Sequence, residues 1–303
     1  MLWWIITTLV MLFYGVSVTK AVGLLKWPRG IQLFNYIDPE SWKYNYPICN
    51  RYRQSPIDLN PDYFRYVVDS PALKWIGYDD VPDNITIFNN GHTLELSGFW
   101  PAPSIPFITG GPLRGEYLFT QLHFHWGEDN TVGSEHTTDG SSYPLEMHMV
   151  HWKRTYGSFN EALRHPDGLA VIGLFFEIDE DPERVAPLNM IFDHIGDVRE
   201  ANKKVNVMPF PLTVLDVIGR QFSFMSYMGS LTTPPCLESV IWILSNFVSP
   251  VSTSQMVELR KLRLRNNDRR NYRPIQPRND RKIFFYLNNN GEPKKKQKCE
   301  ARD

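Results

Sequence analysis

The sequence predicts a mainly β (α+β) fold: one domain around a large, mostly antiparallel, twisted central sheet, with short helices at its periphery. Three observations carry that expectation. Runs rich in β-branched and aromatic residues recur along the chain, bounded by Gly, Pro and Asn clusters. Helical signals are fewer and shorter. No internal repeat, low-complexity tract or linker interrupts residues 24–290. The strand-like runs are, in order, ITIFNNGHTLELS, YLFTQLHFHW, LEMHMVHW, LAVIGLFFEI and VIWILSNF. Helices are expected over 158–164, 182–192 and 254–264. In the last, Met256, Leu259 and Leu262 recur at i, i+3 and i+6 behind a Ser cap. The segment NYRPIQP (271–277) reads as a further strand region.

Composition narrows the class. A chain of 303 residues with 42% hydrophobic and 21% charged content is too apolar for a disordered protein. Its length would suit two domains, but single all-β domains run past about 200 residues, and no linker divides this one. The formal net charge of −1 argues against a nucleic-acid binder. The charge is unevenly spread: from Glu258 onward 15 Lys/Arg face 6 Asp/Glu, or +9, which leaves −10 for residues 1–257.

The ends of the chain read as separate from the domain. The run LWWIITTLVMLFYGVSV precedes the first charged side chain, Lys20, and small residues at Gly15 and Ser17 offer a cleavage point. Residues 1–21 are therefore expected to be a secretory signal peptide, with a retained anchor as the competing reading. Cleavage would leave no membrane span and a secreted, extracellular protein. The domain is placed at 30–288 and a basic tail, with Lys294, Lys295, Lys296 and Lys298, at 289–303. Three cysteines, Cys49, Cys236 and Cys299, allow one disulfide and one leftover thiol. Asn84-Ile85-Thr86 is a sequon, so Asn84 is the expected glycosylation site.

Five of the eight histidines fall within 123–151. Residues two apart on a strand face the same way, so His123 and His125 project to one side, with Gln121 beside them. Glu146 and His148 repeat the spacing, and Val150 continues their face. Two such strands side by side present three imidazoles to one point, which is the donor set of a catalytic zinc site with an open fourth position. Gln121 and Glu146 each precede a candidate ligand by two residues, where each can accept the imidazole's second N–H. His136 and His151 read as ordinary hydrogen-bonded core histidines.

The stretch QLHFHWGEDNTVGSEHTTDGSSYPLEMHMVHW resembles the signature region of the α-class carbonic anhydrases. The likeness runs from about Phe34 to Lys282 and includes, in family order, RQSPIDL, FNNGHTLEL, DGLAVIGLFF, GSLTTPPC and NYRPIQP. It implies reversible hydration of CO2 to bicarbonate and a proton. Zn2+ would be held by His123, His125 and His148, and would lower the pKa of a bound water so that hydroxide attacks. Gln121, Glu146 and Asn271 would support the ligands. Thr232 would donate its proton to Glu135 and accept one from the attacking oxygen. Val150, Val171, Leu231 and Trp242 would form the apolar wall for CO2, with Thr233 touching bicarbonate or an inhibitor. His92 would shuttle the proton, since imidazole titrates near neutrality, through waters ordered by Tyr36 and Asn90. Sulfonamides and small anions are the inhibitors implied.

The resemblance to extracellular members implies a Cys49–Cys236 bridge tethering the threonine loop. Three positions depart from the common pattern: Glu95 stands for Asn or Gln in the cavity wall, Phe34 for Trp, and Tyr272 for Trp. The competing classes are a non-catalytic carbonic-anhydrase-like binding or matrix protein, which usually lacks one or more zinc histidines, and a zinc hydrolase acting on esters.

Overall fold

The computed structural model describes residues 34–68, 70–215 and 223–287. The expected leader (1–21), the tail (289–303) and Cys299 lie outside the described residues. Twelve strands occur among those described: β1 (Phe64–Val67), β2 (Lys74–Ile76), β3 (Asn84–Asn89), β4 (Leu94–Phe99), β5 (Phe107–Thr109), β6 (Tyr117–Trp126), β7 (Leu145–Lys153), β8 (Leu169–Ile178), β9 (Lys204–Val207), β10 (Phe224–Gly229), β11 (Val240–Val251) and β12 (Ile283–Tyr286). They form one sheet in the order β1-β12-β10-β11-β8-β7-β6-β4-β3-β9, and β2 joins through β5 to β6. The pairings are antiparallel except β1 with β12 and β8 with β11. This is the mainly antiparallel sheet the sequence predicts.

The five predicted runs become the β3–β4 hairpin and the central strands β6, β7, β8 and β11. The hairpin turns at Asn90-Gly91, where Gly91 takes φ +89°, a conformation a side chain would strain. VIWILSNF continues to Val251 through a register shift between Leu244 and Val248. The unpredicted strands are three to six residues long, too short for alternation to stand out.

The helices are short and peripheral: α1 (Trp42–Asn45), α2 (Phe159–Ala162), α3 (Pro182–Val185), α4 (Asn189–Phe192) and α5 (Thr253–Leu259). The single helix expected over 182–192 is divided by a 3-10 turn, Ala186–Leu188, because Pro187 has no N–H to donate. The helix expected over 254–264 starts one residue earlier and ends at Leu259. Ser252 caps it, accepting from the Gln255 N–H while the Gln255 side chain accepts from Ser252 N. Residues 271–277 are not a strand, a correction to the sequence reading. Pro274 and Pro277 deny the segment a ladder, and it is tied by single bonds from Asn271 N to Trp126 O (3.2 Å) and Gln276 N to Pro56 O (2.7 Å).

The two faces of the central strands do different work. Leu122, Phe124, Trp126, Leu145, Met147 and Met149 enter the larger apolar core. Gln121, His123, His125, Glu146, His148 and Val150 alternate with them and face the opposite side. The β6–β7 register shifts between Phe119 and Gln121, so odd-numbered Tyr117 and Phe119 share the core with even-numbered Leu122 and Phe124. The bulge allows a long strand to keep apolar residues inward at both ends while its middle turns two imidazoles to the other face.

Candidate metal centre

The pairing register sets the candidate ligands in rows. Glu95, His123, His148, Gly173 and Leu244 stand opposite one another across β4, β6, β7, β8 and β11. Gln121, Val150, Val171 and Trp242 form the adjacent row. A side chain at Gly173 would meet Leu244 at 2.6 Å and Glu146 Oε1 at 3.2 Å, so the glycine makes room for the Glu146–His148 pair. A lone glycine inside a strand-like run was the available signal for this close approach.

His123, His125 and His148 offer ligand nitrogens that all lie within 4.8 Å of one another. Each ring is oriented by a different acceptor. His123 Nδ1 donates to Gln121 Oε1 (2.9 Å), His125 Nδ1 to the Asn271 carbonyl (2.7 Å), and His148 Nε2 to Glu146 Oε1 (2.6 Å). These bonds leave His123 Nε2, His125 Nε2 and His148 Nδ1 as the lone-pair nitrogens. His125 Nε2 is buried with no hydrogen-bond partner. Burial, with the neighbouring imidazoles, lowers the pKa of His123 well below its ordinary value and that of His125 to about 3. His148 is lowered by burial as well, against the pull of Glu146. Three neutral, pre-oriented imidazoles with an orphaned buried nitrogen fit a Zn2+ ion.

Glu146 anchors this arrangement. Its Oε1 also accepts from His136 Nδ1 (2.8 Å), and its Oε2 accepts the main-chain N–H groups of Glu135 and His136 (2.8 Å each). Burial pushes its pKa up, but His136, His148 and their hydrogen bonds outweigh it and hold the carboxyl well below the carboxylate range. His136 Nε2 meets Tyr227 Oη (2.7 Å), so neither of its nitrogens is free. His151 faces the core, bonded to Tyr78 and Ala170.

Glu135 is 1% exposed, with Oε2 3.4 Å from His125 Nε2 and 3.9 Å from His148 Nδ1. Burial and the charge of Glu146 push its pKa well up, while the Thr232 side chain, the Arg273 main-chain N–H and the Arg273 charge oppose them, and Oε2 itself has no hydrogen-bond partner. The sequence reading missed the Arg273 contact, although Arg273 lies inside a motif it singled out. The resemblance implies Asn271 as a support without naming the atom: the carbonyl serves His125, and the side-chain Oδ1 accepts from Trp126 N (2.7 Å).

Val150, Val171 and Trp242 are buried together with Leu231 packed against them. Thr233 lies in the same loop as Thr232, its carbonyl accepting from Cys236 N (2.9 Å). Cys49 and Cys236 are disulfide-bonded, with Cα atoms 4.9 Å apart, beside Tyr36 and Trp42. Asn84 opens β3, half-buried, its Oδ1 accepting from Thr86 Oγ1 (3.0 Å).

His92 sits in the β3–β4 turn, stacked on Phe34 at 4.2 Å between ring centroids and 11° between planes. Burial and then the Arg265 charge lower its pKa to about 4. Asn90 builds this turn: its Oδ1 accepts from His92 N and Thr93 N, and its Nδ2 donates to Glu95 Oε2 (3.2 Å). Burial raises the Glu95 pKa against that bond. Tyr36 is buried, edge-on to Trp42, and its N–H donates to Asp268 Oδ2.

A profile of the eukaryotic-type carbonic anhydrases matches residues 37–287. Carbonic anhydrase 7 of Mus musculus is 38% identical over 248 residues, 79% of this chain and 90% of that protein. Carbonic anhydrase 3 of Sus scrofa is 36% identical over 245 residues (79% and 91%), and carbonic anhydrase 6 of Bos taurus 36% over 277 residues (84% of each). With a matching profile over most of its length and three converging imidazoles at its centre, the chain belongs to the eukaryotic-type carbonic anhydrase family.

Proposed function

We propose that this protein is a secreted zinc enzyme that interconverts CO2 and bicarbonate with release or uptake of a proton. The observation that carries the reading is the convergence of three lone-pair nitrogens, each fixed by its own acceptor, next to the Glu135 carboxyl. His123, His125 and His148 would hold the zinc ion, which would supply a nucleophile at neutral pH by lowering the pKa of water.

The chain's own residues do the rest. Glu135, when ionised, only accepts, so the Thr232 hydroxyl spends its proton there and keeps its lone pairs for a protonated atom at the site. That selects ligands carrying a proton and orients the nucleophile's lone pair toward carbon. Val150, Val171, Leu231 and Trp242 give apolar CO2 a dry wall, and Thr233 meets bicarbonate as it leaves. His92 takes up the excess proton. In its stack on Phe34 it is neutral at pH 7, so we assign the carrier role to an unstacked position where its pKa returns toward about 6.5. A secreted protein can keep the Cys49–Cys236 bridge, and glycosylation at Asn84 and removal of residues 1–21 accord with that compartment.

Stopped-flow CO2 hydration by the zinc-loaded protein, with and without an aromatic sulfonamide, tests the reading. Rapid hydration abolished by the sulfonamide is expected. Bound zinc without turnover would instead favour a non-catalytic binding protein, and turnover of activated esters alone would favour a hydrolase.

A further inference from the structure

We propose that Arg273 is a positioning residue that holds Glu135 and the Thr232 loop in one fixed relation. The proposal rests on the Glu135–Thr232 role argued above. Arg273 is 3% exposed, and its main-chain N–H donates to Glu135 Oε1 at 2.9 Å. That leaves Oε2 as the oxygen turned toward the ligand nitrogens. The guanidinium locks this main-chain position. Its Nη1 donates to Gln54 Oε1 (3.0 Å) and to the Ser55 carbonyl (2.8 Å), and its Nη2 to the Cys49 carbonyl (2.9 Å).

Those acceptors lead to the threonine loop by three routes. Ser55 and Ser230 bond each other twice, through Ser55 N to Ser230 Oγ (2.9 Å) and Ser230 N to Ser55 Oγ (3.0 Å), two residues before Thr232. Gln54 Nε2 donates to the Cys236 carbonyl (3.3 Å), and Cys49 is covalently joined to Cys236. One planar fork therefore references both halves of the proton gate: the acid through its own amide, the threonine through the segment 49–55. A lysine cannot reach three acceptors in that fixed geometry. Were Arg273 merely structural, its loss would weaken all ligands of the centre alike.

The test compares the full zinc-loaded chain with Arg273→Met and Arg273→Lys, metal content being measured in each. Affinities are read for an aromatic sulfonamide, which binds with an N–H to give to Thr232, and for thiocyanate, which has no proton to give. In Arg273→Met the sulfonamide is expected to weaken about tenfold while thiocyanate stays within about twofold. Arg273→Lys is expected to fall between Arg273→Met and the unaltered protein. An unchanged ratio of the two affinities would overturn the proposal, whether both weaken equally or neither moves. Gln54→Leu, which removes one acceptor and keeps the arginine, serves if Arg273→Met does not fold, and a smaller shift in the same direction is expected. Failure of the unaltered protein to hydrate CO2 would count against the proposed function, whereas an unchanged ratio in an active enzyme counts against Arg273 alone.

Discussion

His125 is 1% exposed and carries a ring nitrogen with no hydrogen-bond partner, a costly state unless a ligand takes up that lone pair. His125→Ala and His148→Ala are expected to lose stoichiometric zinc after dialysis, read by elemental analysis; retention of metal in both would contradict the assigned centre. Glu95 stands opposite His123 on the neighbouring strand, and its carboxyl accepts from Asn90 Nδ2. An ionised carboxylate there repels anions entering the site. Glu95→Gln should therefore tighten thiocyanate inhibition several-fold at alkaline pH, measured by inhibition of CO2 hydration. Phe34 acts on His92 rather than on the centre. Removing the stack in Phe34→Ala should raise the His92 pKa from about 4 toward 6.5, followed by NMR titration of the imidazole.

The strands place these residues. A hydroxyl-bearing Thr120 marks the bulge in β6, and the register shift there decides which parity of residue reaches the centre. Gly173 in β8 has a similar influence from behind: a methyl group would crowd Leu244 and Glu146. Gly173→Ala is expected to weaken zinc binding about tenfold or more, as loss of a ligand's hydrogen-bond support does, in a chelator competition assay. Loss of overall stability with unchanged zinc affinity would assign Gly173 to packing alone. In the sequence, β6 to β8 and β11 were legible because long runs of β-branched and aromatic residues announce buried strands. The α3–α4 interruption was not, since an apolar pattern continues across Pro187 while the backbone hydrogen bonds do not. Nor was the irregular course of 271–277, where the residue types look strand-like and the two prolines settle the matter.

Taken as a whole, the molecule holds two imidazoles neutral at pH 7, His151 in the core and His92 in its stack on Phe34. His151 and His92 fall from an ordinary 6.5 to about 3 and about 4, burial being the main cause in each. The unfolded chain binds protons at these sites below 6.5 and the folded chain does not. Their contribution to stability is thus fully present above 6.5 and lost as pH falls toward about 4 for His92 and about 3 for His151. The metal-free protein should show an unfolding temperature that declines over that window in scanning calorimetry; a flat profile would contradict these shifts. The Cys49–Cys236 bridge closes a separation of 187 residues, for which chain entropy suggests about 5 kcal/mol. Paired Cys49→Ser and Cys236→Ser substitutions should lower the denaturation midpoint accordingly. No helix among the described residues is long and apolar enough to cross a membrane.

Residue order alone determined the local part of the site. His-x-His and Glu-x-His on strands put ligand and support on one face, because side chains alternate with period two and need no distant partner to do so. Tertiary structure decided which atom completes each support. The carbonyl on His125 comes from Asn271, 146 residues away, and the amide on Glu135 from Arg273, 138 residues away. Main-chain groups are the same in every residue, so no pattern of side chains marks which of them will be delivered to a buried carboxyl or imidazole. Only the folded chain brings them within hydrogen-bond reach.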